Sequence, residues 1–212
     1  MIANVFSLDR WGPLHPSSGS LLVHSFGATR VSVRAAAVGL AVLVTAAAAQ
    51  FTLPLPGTAV PIVLTPFAVM LVGAALGSRL GFMSQVLYLA AGAAGLPVFA
   101  PSIVLPPGAG RLIGPTGGYL LAYPVAAFVT GWLAERGWDR RYFTSFLSML
   151  AGLSIIFIGG VSWLSLMPGQ TLSSAIAGGF LAHIGLDLVK AAVAAKVLPL
   201  AWKIYLPKTS KY

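Results

Sequence analysis

The sequence predicts an all-α membrane protein, a six-transmembrane-helix bundle whose outer loops cap a ligand pocket. Hydrophobic residues make up 58% of the 212 residues and charged residues only 8%, whereas a soluble domain carries about 25% charge. Basic residues are abundant in alternate connecting segments, which is typical of a polytopic membrane protein. Apolar runs that could cross a bilayer recur at 33–53, 60–76, 80–96, 116–133, 143–167 and 172–200.

The first predicted span, 33–53, follows a polar segment, 1–32, that we expect to be a cytoplasmic N-terminal extension. Ala37 and Ala41 lie four residues apart on this span. Small residues at this spacing let another helix approach closely. The spacing alone favours ordinary packing inside the same bundle, and a contact with another protein is the alternative.

The second and third spans are short, and the longest loop follows them. The second is entered at Pro61 and broken near Pro66, and the third is rich in glycine. Loop 97–115 is apolar and rich in proline, with Arg111 as its single charge. Because a solvated loop would be polar, we expect this loop to fold back over the bundle as a lid.

The fourth span opens with the run GPTGGY, in which Thr116 is the predicted N-cap residue. A charged loop, 135–142, precedes the fifth span, and a short uncharged turn precedes the sixth. We therefore predict one six-helix transmembrane substrate-binding domain at 33–206, followed by a basic tail at 207–212.

The basic residues predict that both termini lie in the cytoplasm. Under the six-span arrangement the inner segments hold Arg10, Arg30, Arg34, Arg79, Arg136, Arg140, Arg141, Lys203, Lys208 and Lys211. Lys196 can snorkel to the same side, and the outer loops hold only Arg111. This asymmetry explains the net charge of +9 without a nucleic-acid partner. It leaves Arg111 and Lys190 as basic residues that topology does not require.

The sixth span carries His183, Asp187 and Lys190, spaced so that all three share one helix face. A charge at the bilayer centre costs about 3 kcal/mol on insertion scales, so these side chains should face a polar cavity or each other. The pair of Asp187 and Lys190 indicates either a ligand site or an ion pair that holds helices together. A lone histidine on such a helix is more typical of a packed, hydrogen-bonded residue.

A pocket that contains Arg111, Lys190 and Asp187 beneath an outer lid suits a small anionic solute. The two cations would neutralise a carboxylate or phosphate, and the carboxylate would accept hydrogen bonds from N–H groups. Aromatic residues near the outer helix ends could form an apolar wall or could anchor the interface: Tyr119, Tyr123 and Trp163.

Sequence motifs for catalysis are missing, so we expect a protein that is not an enzyme. The chain contains no HExxH, GxSxG or Walker A motif and no cysteine, and it predicts no metal site and no cofactor. Any active transport would take its energy from partner subunits or from an ion gradient.

Several segments resemble the BioY family, the biotin-binding S components of energy-coupling factor (ECF) transporters. The resemblance rests on the run from PLPGTAV to GLPVFA, on RLIGPTGGYL, and on DLVK in the last span. It implies six helices, cytoplasmic termini, and a vitamin pocket near the outer face of a prokaryotic cytoplasmic membrane. It also implies a transmembrane coupling subunit and two ABC-type ATPase subunits as partners.

The resemblance implies specific site residues. Asp187 and Lys190 would bind the ureido ring of biotin, and Arg111 would hold the polar ends of the ligand. The Ala37-x-x-x-Ala41 pattern matches the surface of the family that docks on the coupling subunit. The full predicted biotin-binding set is Arg111, Asp187, Lys190, Tyr119, Thr116 and Ser102.

The chain departs from the family pattern in two places. Thr65 stands where family members often have glutamine, and Pro101 and Ser102 follow the PVFA run. Three other functions stay open: an ion-coupled carrier in which Asp187 takes up a proton, an S component for another vitamin, and a purely structural membrane subunit.

Overall fold

The protein forms a bundle of α-helices in a computed structural model that describes residues 31–102 and 105–205. The predicted N-terminal extension, up to residue 30, and the basic tail at 207–212 lie outside the described residues. The elements in chain order are α1 Val31–Gln50, β1 Thr52–Leu53, β2 Ile62–Val63, α2 Thr65–Leu76, α3 Ser78–Ala93, α4 Gly110–Ile113, α5 Gly117–Glu135, a 3₁₀ turn Trp138–Arg140, α6 Tyr142–Ser165, α7 Leu172–Ile176, a π-helical segment Ala177–Leu181 and α8 Ala182–Tyr205.

The prediction of an all-α membrane protein is confirmed. By length and composition, three helices of the described chain could span a bilayer by themselves: Ser32–Gln50, Gly117–Glu135 and Tyr142–Ser165. The helix Thr65–Leu76 is apolar but shorter. The predicted sixth span, 172–200, is divided by the π-helical segment. The part of this span that lies in α8 carries charged residues, which lower its hydropathy.

The second predicted span begins later than expected, because residues before Thr65 are not helical. Ile62 and Val63 instead pair in antiparallel register with Leu53 and Thr52, so the two proline-rich ends form a short hairpin. Pro66 lies in the first turn of α2, where the missing N–H of proline costs no intrahelical hydrogen bond. The apolar run therefore divides into an extended half and a helical half.

Helix α5 lies at the centre of the bundle and packs against α2, α3 and α6. Glycines permit the close approach, because a Cβ at Gly73 would collide with the backbone of Ala127 and one at Gly131 with the backbone of Gly77. Such small residues let helix backbones approach in membranes.

One end of the bundle, here called the basic end, carries Arg79, Arg136, Arg140, Arg141 and Lys203. The Glu135 carboxylate accepts hydrogen bonds there from the backbone N–H and the hydroxyl of Ser78. The indole of Trp202 donates to Asp139 at the same end, 2.5 Å away. These two carboxylates therefore tie together the helix ends at which the basic residues lie.

The described parts of the loop between α3 and α5, residues 94–102 and 105–116, cover the opposite end, here called the cavity end. Gln50 donates through its amide to the carbonyls of Pro97 and Phe99, and the indole of Trp163 donates to the carbonyl of Gly114. The loop thus folds back over the bundle, as its apolar composition predicts.

Candidate ligand-binding site

A cavity lies beneath the loop at the cavity end, between α2, α3, α5, α6 and α8. The space between its lining atoms is partly open to the outside. Binding pockets for small molecules typically have a mostly apolar lining. Five aromatic residues line this one: Tyr88, Phe99, Tyr119, Tyr123 and Phe157.

The aromatic wall is held in place by specific contacts. Tyr88 and Phe99 meet edge to face, with ring centroids 5.4 Å apart, and the Tyr88 hydroxyl donates to the Val98 carbonyl. Tyr119 and Tyr123 line the cavity as predicted, whereas Trp163 uses its indole to hold the start of α5. The wall offers a largely apolar aromatic surface that suits a small ring system.

Five polar side chains line the same cavity: Thr65, Arg111, Thr116, His183 and Asp187. Asp187 and His183 come from α8, one turn apart, and both are more than nine-tenths buried. The cavity therefore combines one buried carboxylate with hydrogen-bonding groups in an otherwise aromatic space.

Asp187 and Lys190 form an ion pair, with 2.7 Å between Nζ and Oδ1 and side-chain exposures of 10% and 18%. The Lys190 ammonium also donates to the Val63 carbonyl at 2.8 Å. The described residues that line the cavity include Asp187 but not Lys190. Lys190 thus lies behind the carboxylate, where it neutralises the charge and orients it toward the cavity.

Segment 58–63, which ends in strand β2, runs alongside the last helix and completes this wall. Its contacts are Thr58 Oγ1 to the Gly178 carbonyl, the Val60 carbonyl to His183, and the Val63 carbonyl to Lys190. The segment that was predicted to be helical serves instead as a strip of carbonyl acceptors for α8.

The π-helical segment before α8 is a feature that sequence analysis missed. Widened turns of this kind leave backbone carbonyls without their usual helical partners and occur often at functional sites. Here the hydroxyl of Tyr119 donates to the Gly179 carbonyl at 2.9 Å, and Thr58 donates to its neighbour Gly178. Tyr119 therefore also fixes the start of the helix that carries Asp187.

Arg111 is buried, although the sequence suggested a more exposed loop position. Its guanidinium donates to the carbonyls of Ala100 at 2.7 Å and Leu105 at 3.3 Å, and only 7% of the residue is exposed. Burial lowers the pKa of Arg111, and nearby Tyr88 opposes that shift. Because arginine remains protonated in proteins, the loop places a buried positive charge at the cavity.

Thr116 and Ser102 lie in different pockets. Thr116 occupies the N-cap position of α5, where its side chain makes no cap hydrogen bond with the described residues, and it lines the main cavity. Ser102 lines a second, outer pocket that shares Phe99, Ala100 and Arg111 with the first. Of the six predicted binding residues, four line the main cavity: Arg111, Thr116, Tyr119 and Asp187.

Several cavity residues were not predicted as ligand contacts: Thr65, Tyr88, Phe99, Phe157 and His183. His183 carried a signal, since it lies one turn before Asp187 on the same helix face. Phe99 carried another, since it is a large apolar side chain in a loop that was expected to fold inward.

Ala37 and Ala41 share one face of α1, and that face packs inside the bundle. Ala41 is 5% exposed and contacts a small cluster that includes Val72 and Leu76, with Ala37 partly buried against it. This arrangement agrees with the packing alternative that the spacing favoured. The docking role for these two residues stays a prediction.

The fold and the cavity define a class: a polytopic helical membrane protein with a small-molecule pocket at one end. The family model described as "BioY family" matches residues 21–206. The chain therefore belongs to the BioY family, and the resemblance seen in its motifs is confirmed.

Named relatives show similarity over most of the chain. A "Probable biotin transporter BioY" of Pyrococcus horikoshii is 40% identical over 157 residues, which is 74% of this chain and 88% of that protein. A "Biotin transporter BioY" of Thermotoga maritima is 39% identical over 65% of this chain and 78% of its own length.

A solved structure shares the fold. It is described as the crystal structure of the S-component for biotin from an ECF-type ABC transporter, and it superposes with a TM-score of 0.69 at 24% identity. The alignment covers 82% of this chain and 94% of the solved chain. This likeness supports the helical architecture along nearly the whole length of the solved protein.

Proposed function

We propose that this protein is a biotin-binding membrane subunit, the S component of an ECF-type vitamin uptake transporter. The observation that carries the proposal is the Asp187 carboxylate, buried and ion-paired in an aromatic cavity. The relatives in Pyrococcus and Thermotoga are named as biotin transporters, which points to the same ligand.

Biotin matches the chemistry of this cavity. Its ureido group offers N–H donors to a carboxylate, and its fused rings and valeryl chain are apolar. Asp187 would accept from a ureido N–H while Lys190 keeps the carboxylate charged and oriented. Tyr88, Tyr119 and Phe157 would pack on the apolar rings. Arg111, on the loop that covers the cavity, would attract the ligand carboxylate.

Ligand binding can be tested directly on the purified protein. We expect biotin to co-purify, identified by mass spectrometry, and biotin to bind in calorimetry while riboflavin and thiamin do not. Asp187→Asn should weaken this binding strongly. Asp139→Asn makes the same chemical change at another buried carboxylate, at the basic end, and should not alter the affinity of a folded sample. Binding of a different vitamin in place of biotin would contradict the proposal.

The family suggests that transport requires partners: a transmembrane coupling subunit and two ABC-type ATPases. We expect biotin uptake in cells to stop when ATP hydrolysis by those subunits is blocked and to persist when the proton gradient alone is collapsed. The opposite result would favour an ion-coupled carrier in which Asp187 takes up a proton. The existing ion pair with Lys190 gives that alternative no support.

We further propose that the basic end faces the cytoplasm, so that both termini lie inside and the cavity opens to the exterior. The chain has no cysteine, which makes single-cysteine labelling clean. Arg141→Cys lies at an exposed position of the basic end and Ala59→Cys at an exposed position of the cavity end. An impermeant thiol reagent added to intact cells should label only the Ala59→Cys variant. Labelling of the Arg141→Cys variant alone would show that the protein has the opposite orientation.

A further inference from the structure

His183 is a buried hydrogen-bonding side chain in the cavity whose second nitrogen has no assigned role. It is 5% exposed, and its Nε2 lies 3.1 Å from the carbonyl oxygen of Val60. Its Nδ1 has no hydrogen-bond partner among the residues that the structure describes. A buried polar atom without a partner costs free energy, and such atoms in native proteins often await a ligand or water.

The contact with Val60 fixes the tautomer of the ring. A carbonyl oxygen can only accept a hydrogen bond, so Nε2 must carry the proton. In a neutral imidazole the other nitrogen, Nδ1, is then an acceptor.

His183 and Asp187 therefore place two acceptors side by side on one wall. They lie four residues apart on α8, a spacing that brings their Cβ atoms to about 5–6 Å on the same helix face. Both residues line the cavity. A ligand that presents two N–H groups in diverging directions, as a cyclic urea does, can donate to both at once.

We propose that His183 is a specificity-determining residue, whose Nδ1 accepts a hydrogen bond from one ureido N–H while Asp187 accepts from the other. The assignment rests on the proposed function, because it takes biotin as the ligand. It predicts that the site selects ligands by two N–H donors, since a ligand with one donor would leave an acceptor without a partner.

A positioning role through Val60 is the competing explanation, so the test must separate the two roles. The probes are biotin and two regioisomeric analogues, in each of which one ureido N–H is replaced by oxygen. Binding of each probe to the parent protein, to His183→Phe and to His183→Gln is measured by calorimetry, with thermal unfolding as the check of folding. The glutamine variant can keep both a donor for Val60 and an acceptor for the ligand.

In the parent protein, we expect the analogue that lacks the N–H facing His183 to bind about 3- to 10-fold more weakly than biotin, the effect of one neutral hydrogen bond. The analogue that lacks the N–H facing Asp187 should bind about 10- to 150-fold more weakly, the effect of a hydrogen bond to a charged group. His183→Phe should weaken biotin about 3- to 10-fold and should remove the discrimination against the first analogue only. His183→Gln should restore much of that discrimination. If His183→Phe does not fold, His183→Ala, which also lacks a side-chain acceptor and adds no bulk, takes its place in the comparison.

Two results would overturn the assignment. If His183→Phe weakens biotin and both analogues by the same factor, His183 acts only by positioning Val60. If a folded His183→Phe leaves both biotin affinity and discrimination unchanged, His183 does not contact the ligand. A parent protein that does not bind biotin at all would instead reject the proposed function, so the two failures can be told apart.

Discussion

Replacing Asp187 and Lys190, singly and together, distinguishes a ligand site from an ion pair that only holds helices together. The two side chains are 2.7 Å apart and mostly buried, with 10% and 18% exposure. Asp187→Asn leaves the Lys190 ammonium with the Val63 carbonyl as its remaining acceptor in the described structure. Because removing one partner of a buried pair costs about 3–5 kcal/mol and some solvent reaches both groups, we expect a loss near 3 kcal/mol in folding free energy.

Biotin affinity should respond differently from stability. Each single variant, Asp187→Asn or Lys190→Met, should lose about 2–5 kcal/mol of binding free energy, which corresponds to roughly 30- to 4,000-fold weaker binding. The double variant should recover most of the stability, because replacing a buried ion pair by neutral groups is often harmless. It should not recover binding, because the carboxylate that accepts the ureido N–H is gone.

The assays are calorimetric titration with biotin and thermal unfolding, both on detergent-solubilised protein, with apo and biotin-loaded samples of every variant. The decisive comparison is the double variant with the parent. A folded double variant that binds biotin as tightly as the parent would refute the reasoning, since this helix face would then only hold helices together.

Three further substitutions test the lid, the π-helical segment and the docking prediction. Arg111→Ala should cost roughly 1–3 kcal/mol of biotin-binding free energy, measured by calorimetry, because the loop over the cavity loses a buried charge and two carbonyl contacts. Unchanged binding would exclude a role for Arg111 in holding the ligand. Tyr119→Phe should lower the unfolding free energy by about 1–3 kcal/mol, because the buried carbonyl of Gly179 loses its hydrogen-bond donor. Tyr142→Phe, at an exposed position, should leave the unfolding free energy unchanged. Equal effects of the two substitutions would contradict the role of Tyr119. Ala37→Trp should abolish co-purification with the coupling subunit and ATP-dependent uptake while biotin binding persists, and Ile158→Trp, on an exposed face, is the matched control. If the complex forms normally with Ala37→Trp, Ala37 does not dock on the coupling subunit and serves only in packing within the bundle. A general loss of folding in this variant would point to the same packing role.

Local sequence signals determined the helices and the charged pair of this protein. Apolar runs and the position of basic residues depend only on composition and chain order, so the spans at α5 and α6 were placed within a few residues. The pairing of Asp187 with Lys190 follows from helical spacing of three residues. The inward fold of the loop followed from its composition, because an apolar loop gains by covering the bundle.

Contacts between distant parts of the chain decided the rest. Residues 60–64 are as apolar as a helix, yet they are not helical: Ile62 and Val63 form a strand, and the carbonyls of Val60 and Val63 contact His183 and Lys190. Those partners lie more than a hundred residues away, and no local pattern reports them. The same reason explains why the depth of burial of Arg111 was not foreseen.

The sequence by itself therefore determined which residues form the bundle, which family the motifs resemble, and which charges topology does not require. Only the tertiary structure decided that Lys190 lies behind Asp187, that Ser102 lies in an outer pocket, and that His183 lines the cavity. The physical reason is one of range. Periodicity and composition act within a turn or a loop, whereas a cavity is defined by packing among helices that are distant in sequence.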